Sequence, residues 1–357
     1  MTYFYQFSRA FMRKYIEICA LISSLLAALV ISLTLLALLG VNPFKAIGDL
    51  ASTLVTSKYL IGEVFVYGCP FLLSGLGIGI ALKANYWNIG AEGQLWWGAL
   101  FATIPGIFIT GIPAFLHVPI VLICAFIGGA FWSLPSVFLK LKFGVNELLT
   151  NLLLNPVAVL FMNYLLWGPL KDPARQHPQS QPLQSTALLP HFFQGTRVHA
   201  GIIIAFLAAF VVYIILRHST LGFEIRAVGD NPKAASYNGI DVKKVILKAA
   251  LIAGGLSGLA GGIWVTSVQS QLMVGTFPGN GFSGYGFTAI PVALLGQLNP
   301  FGICLSSLLF GMLEALGHVM QVQIGVSEFF IEILSGIIVL FVLYSSYITW
   351  KVRHKYG

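Results

Sequence analysis

The residues best equipped to handle a polar solute lie in two glycine-rich interruptions of otherwise apolar sequence. The first runs from Lys83 to Gln94 and carries Trp87, Asn88, Glu92 and Gln94 around Gly90 and Gly93. The second, Phe277 to Gly286, carries Asn280, Phe282 and Tyr285. Amides and carboxylates can pair with hydroxyls and ring nitrogens, and aromatic faces can stack, so this chemistry is recognition rather than bond-making. Non-helical backbone at membrane depth is tolerated only where it is buried in protein or lines a wet cavity. Two such breaks in corresponding halves of a chain point to a solute path. Taken alone, Trp87, Trp96 and Trp97 read as an interfacial aromatic belt.

Other chemistries find no support. There is no Gly-Lys-Ser/Thr, hence no phosphate-cradling P-loop. No Ser-His-Asp or His-Glu-x-x-His set occurs. His177, His191 and His199 share one stretch, but their spacings fit no standard metal site. Cys19, Cys69, Cys124 and Cys304 are scattered among apolar segments and read as small buried hydrophobes. Glu314 is a lone acid in an apolar run, read as a satisfied or snorkelling side chain rather than half of a proton-coupling pair.

A third polar segment runs from Thr220 to Ile240. Asn231 suits a helix N-cap, Pro232 the first helical position and Gly239 the C-terminal cap, predicting a short helix flanked by charge. The segment reads either as a solvated surface helix or as a docking helix for a cytoplasmic partner, with Gly229, Asp230, Asn231, Pro232, Ala235, Tyr237 and Gly239 as the candidate residues; such a partner is needed if the chain is a pump, since it has no nucleotide site.

The elements that position these segments are membrane helices. Of 357 residues, 57% are apolar and 9% charged, too few charges to solvate a globular surface. Cys19–Leu39, Gly201–Leu216 and Phe329–Ile348 are almost unbroken apolar runs without the period-two alternation of barrel strands. About ten spans are expected, near 17–39, 61–82, 94–112, 117–139, 147–168, 200–216, 245–268, 285–298, 301–317 and 328–349. The first is read as a retained, uncleaved helix. With the N-terminus inside, 15 Lys and Arg fall in inner loops and 5 in outer ones, so the net charge of +8 fits the cytoplasmic bias of basic residues rather than a nucleic-acid-binding face, and both termini are expected in the cytoplasm.

The expected organisation is a single membrane domain over 1–357. Its first half lies at about 17–168, a Pro-rich extended outer loop at 169–199, a second half at about 200–349, and an inner loop at 217–244. Gly144–Leu149 resembles Gly325–Phe330, and Gly75–Ile80 resembles Gly258–Ile263, at offsets of 181 and 183. In this topology the matched spans run in opposite directions, predicting an inverted repeat of spans 2–5 and 7–10. The ladders Gly75/Gly79 and Gly254/Gly258/Gly262 predict that the second and seventh spans sit centrally in the bundle.

On these residues the chain resembles a known group. Trp87-Asn88-Ile89-Gly90-Ala91-Glu92-Gly93-Gln94 is similar to the Phe-Asn-Ile-Gly-x-Glu-Gly-Gln signature of bacterial nucleoside importer permeases, with Trp87 in place of the usual Phe. These belong with the ABC permeases for ribose, other simple sugars and branched-chain amino acids. The stretch Gly229 to Ile240 is similar to that group's coupling-loop motif, and the resemblance covers roughly 60–345. It implies a multi-pass subunit of the bacterial inner membrane with no cofactor of its own and ATP and Mg on partner ATPase subunits. The other implied partners are a second permease, usually a different chain, and an extracytoplasmic solute-binding protein facing 169–199. Residues Gly229 to Gly239 would contact the ATPase. A nucleoside would pass beside the breaks, along Trp87, Asn88, Glu92, Gln94, Asn280, Phe282 and Tyr285. The alternatives are a sugar or other small polar solute and, outside the group, a secondary carrier.

Overall fold

The computed structural model describes residues 56–274 and 284–324 continuously, with scattered positions between 23 and 54 and between 333 and 344. The expected spans at 17–39 and 328–349, and the site candidates Asn280 and Phe282, lie outside the described residues. Contacts divide the chain into a larger unit, Ile61–Met312, and a smaller one, Met1–Leu60 with Leu313–Gly357. The candidate site lies within the larger.

Among the described residues regular structure is helical. In order the helices are α1 (Lys58–Lys83), α2 (Ala91–Phe108), α3 (Ala114–Phe143), α4 (Glu147–Trp167), α5 (Gly201–His218), α6 (Thr220–Asp230), α7 (Pro232–Tyr237), α8 (Val242–Trp264), α9 (Tyr285–Leu295) and α10 (Pro300–Ile324). A π-turn, Val265–Gln269, prolongs α8. Among the described residues β-bridges are limited to two isolated ones, Gln179 with Met273 and His191 with His199. Helices α1, α3, α4, α5, α8 (with its π-turn) and α10 are long and apolar enough to cross a bilayer. This is an all-α multi-pass membrane protein.

Two expected spans need revision. Helix α9 has 11 residues, or about 16 Å of rise, half a hydrocarbon core. It is a half-helix opening at the second break. Helix α2 starts at Ala91 rather than 94 and is buried over nearly its whole length, so most of its surface meets protein rather than lipid. Residues 220–230, part of the expected inner loop, are also helical. In the structure α6 forms there because Ser219 caps its N-terminus through Gly222 N–H and Gly222, Ile225 and Val228 recur every three residues on its buried side.

The core of the larger unit is the triple packing of α2, α3 and α8. Where they meet, a Cβ on Gly98 would sit 2.1 Å from the Gly258 carbonyl oxygen, and one on Gly129 would sit 2.1 Å from that of Gly254. The backbones touch directly, and the glycine ladder expected on the seventh span forms this contact. Helix α1 runs beside the group, with Gly75 and Gly79 against Ile303 of α10.

The Pro-rich stretch between α4 and α5 is largely non-helical, as expected, with turns near Lys171, Arg175 and Thr196 and one 3-10 turn at Ser185–Ala187. It is a fastened strap. Ser180, Leu183 and Leu189 N–H groups donate to the carbonyls of Leu272, Ser270 and Thr266 at 2.9–3.0 Å, and Gln184 N–H donates to Gly106 O at 2.8 Å. Leu183, Ala187 and Leu189 are buried, so the segment is pinned over the ends of α2 and α8. At the opposite end of the bundle, Asn231 caps α7 by accepting from Lys233 and Ala234 N–H, Pro232 takes the first helical position, and Gly239 adopts φ +83°, all as the sequence implied.

Candidate solute site

The first break turns because Asn85 takes φ +57° after α1 ends, which sends the chain back to start α2. Its polar side chains are saturated by one another. Asn88 and Gln94 exchange two amide hydrogen bonds of 2.9 and 2.8 Å. Two asparagines of α4, one helical turn apart, complete the pairing. Asn151 Nδ2 donates to Trp87 O at 2.9 Å, and Asn155 donates to Ile89 O at 2.9 Å while accepting from Gly93 N–H at 3.0 Å. Sequence reasoning passed over both. The available signal was a pair of amides at i and i+4 inside an apolar span, where such groups are costly unless used.

Glu92 joins the two breaks. Its carboxylate accepts from Gly284 N–H and Gly286 N–H, both at 2.9 Å, and from Trp96 Nε1–H at 3.2 Å. Two of these donors are free N–H groups at the start of α9, where the helix dipole also favours an acidic partner. This one side chain brings the first interruption against the end of the second, a contact the sequence did not announce. The tryptophans diverge: Trp87 is 44% exposed, whereas Trp96 is 1% exposed and bonded to Glu92. The belt reading is therefore wrong for Trp96, because its indole N–H has an internal partner.

By fixing α9, Glu92 sets Tyr285 into a buried aromatic cluster. Tyr285 meets Phe71 edge-on at 5.0 Å and Trp264 at 5.3 Å, and Tyr67 lies 5.8 Å from Trp264. Trp264 is the last α-helical residue before the π-turn, a distortion that recurs at functional sites. Trp264 Nε1 and Ser74 Oγ are buried without a hydrogen-bond partner among the described residues. Glu63, Tyr67, Phe71 and Ser74 share one stripe of α1, and their spacing of four, four and three residues is the sequence signal for it.

At the strap end of the stripe, Arg197 reaches Glu63 through two N–H groups, Nε donating at 2.9 Å, and also donates to the Tyr67 hydroxyl at 3.1 Å. The bond to the Glu63 carboxylate raises the guanidinium's pKa, so it stays charged. His199, two residues on, is buried with neither ring nitrogen partnered among the described residues. Burial first, then the charges of His191 and Arg197, push its pKa down to about 4. The sign follows: an unfolded histidine takes its proton near 6.5, the folded one only near 4, so stability falls as pH drops through that window. Thermal unfolding of the purified transporter should show a loss of up to about 3 kcal/mol between those pH values, absent in His199→Gln. An equal loss in the variant would remove the histidine from the account.

The docking candidates sit together at the far end of the bundle. Gly229 and Asp230 close α6, Asn231, Pro232, Ala235 and Tyr237 form α7 and its cap, and Gly239 ends the turn. Tyr237 is 93% exposed. Gly229 lies so close to α1 that a Cβ would stand 2.1 Å from the Lys83 carbonyl oxygen.

A family model described as "Branched-chain amino acid transport system / permease component" matches residues 60–343. A glucose ABC transporter permease protein of Haloferax volcanii is 34% identical over 334 residues, covering 91% of this chain and 86% of its own. A guanosine ABC transporter permease protein of Bacillus subtilis is 36% identical over 294 residues, 81% of this chain and 82% of its own. A nucleoside ABC transporter permease protein of Lactococcus lactis is 27% identical over 311 residues, 85% and 84% of the two chains.

Proposed function

The chain belongs to the permease-component family of branched-chain amino acid transport systems, and on that premise we propose that it carries nucleosides inward across a bacterial inner membrane. It is an ABC transporter permease and not an enzyme, ATP being hydrolysed on separate subunits. The observation that carries the nucleoside reading is the cluster Tyr67, Phe71, Trp264 and Tyr285, with the unpaired Trp264 Nε1–H and Ser74 hydroxyl among its helices. A nucleobase presents a flat face to such rings and acceptors to such donors. Two relatives carry nucleoside or guanosine in their names, which supports the reading. The sugar alternative rests on the glucose permease relative, since sugar rings also lie against aromatic faces.

In the proposed cycle α6 and α7 face the cytoplasm and receive the ATPase, with Tyr237 as the exposed contact. The strap at 169–199 faces a solute-binding protein, and a second permease chain completes the pathway. Helix α1 links the two ends: Phe71 lies 12 residues, about 18 Å, from the Lys83 turn that packs on Gly229. A push on α6 is thereby delivered to the stripe that holds Tyr67 and Phe71. The proposed inverted repeat would set the two breaks about a common axis, and their union through Glu92 supports that arrangement.

Competition in cells carrying the whole transporter tests the substrate. Labelled guanosine uptake should require this chain and be displaced by other nucleosides but not by ribose or glucose; displacement by glucose alone would favour the sugar reading. Trp264→Ala should raise the half-saturating nucleoside concentration about 5- to 150-fold, the worth of one base–aromatic stack. An unchanged value would take the cluster off the path.

A further inference from the structure

Away from the aromatic cluster, at the α6 end of the bundle, a cavity of about 590 Å³ opens between the ends of α1 and α5, helix α6 and the α9–α10 turn. Its lining includes Lys83, Arg217, Arg226, Gln297 and Asn299, with His218 beside them, and among the described residues no aspartate or glutamate lines it; Asp230 acts on Lys83 from outside the lining. Arg226 gives an N–H to the Leu216 carbonyl at the end of α5 and keeps further donors free for a ligand. Three cations gathered in a partly enclosed space repel one another, and an anion with several oxygens relieves that repulsion best. The two carboxamides supply neutral donors beside them.

The walls say what carries the anion. Tyr213 packs on Phe301 with ring centroids 4.9 Å apart, and Phe301 is 55% exposed. Above them α5 exposes Phe206, Phe210 and Ile214 along its apolar length. A cationic recess with an aromatic rim at the end of an apolar helix face suits a headgroup whose acyl chains lie against that helix. We propose that this cavity binds a phosphate group, presented by an anionic phospholipid seated against α5. Soluble phosphate is the other source of the same chemistry, and the experiment separates the two.

The assembled transporter would be purified and exchanged into mixed phosphatidylglycerol and phosphatidylcholine, and the retained lipid counted by native mass spectrometry. Wild type should retain phosphatidylglycerol preferentially. The double variant Lys83→Gln/Arg217→Gln should lose that preference about 25-fold, at about fivefold per cation. Arg217→Lys, which keeps the charge, should retain most of it and serves as the folding control. A preference that survives in the double variant, or equal retention of the two lipids by wild type with no stabilisation by inorganic phosphate, overturns the proposal. If inorganic phosphate alone stabilises wild type but not the double variant, and no lipid preference exists, the phosphate site stands and the lipid is overturned as its carrier.

Discussion

Replacing Glu92 with alanine should abolish uptake and lower the thermal stability of the purified transporter more than any other single change in the site. The substitution leaves two buried donors, Gly286 N–H and Trp96 Nε1–H, and the partly buried Gly284 N–H without the carboxylate that accepts them. Bonds to a charged acceptor contribute about 1.5–3 kcal/mol each, and orphaned donors add their own desolvation cost. Even allowing for non-additivity, several kcal/mol is a large share of a total that runs to about 5–15 kcal/mol. Beyond stability, α9 loses the tie that orients Tyr285 against Phe71 and Trp264. Glu92→Gln keeps one acceptor oxygen but turns an amide N–H₂ towards a donor, so it should fall between wild type and alanine. Uptake normalised to the amount in the membrane, read beside the unfolding midpoint, checks both. An alanine variant with normal uptake and an unchanged midpoint would dismiss the tie between the two breaks.

The second large effect is expected at Gly229. A Cβ there would meet the Lys83 carbonyl oxygen at 2.1 Å. Backbone cannot rotate away as a side chain can, so α6 must lift from the end of α1. If α6 and α7 receive the ATPase as proposed, Gly229→Val should suppress uptake at least tenfold while the complex continues to hydrolyse ATP, since the altered α6 would no longer press on α1. Tyr237→Ala is the complementary change. With the residue 93% exposed, loss of its side chain should leave the bundle's stability untouched and weaken retention of the ATPase subunits during purification. Normal ATP-coupled uptake in both variants would remove α6 and α7 from the coupling path.

Much of this was legible in the sequence for simple reasons. Local devices with a fixed stereochemistry were read off directly: the cap at Asn231, Pro232 behind it, and the left-handed turn at Gly239. The long spans followed from apolar run length. The two breaks were visible as polar and glycine residues where helix should continue. Less legible were features that depend on what lies opposite in space. Trp96 could not be told from an interfacial tryptophan until Glu92 was found within reach of its indole. Asn151 and Asn155 looked like isolated amides in a span because their partners stand about 60 positions earlier in the chain. The half-helix α9 read as a span because apolar composition alone does not reveal that its first turn is held by a carboxylate from another helix.

The junction of α2, α3 and α8 bears on how such a chain can diversify. At Gly98, Gly129 and Gly258 three main chains touch with no side chain between them, so there is no rotamer to readjust when a neighbour changes. Each position can be altered only by moving a whole helix. A randomised library at Gly129, selected for uptake, should return glycine almost alone, whereas one at Phe71 or Trp264 should return several aromatic residues. New solute preferences would then arise by exchange within the ring cluster, on a frame whose crossing point stays frozen across descent.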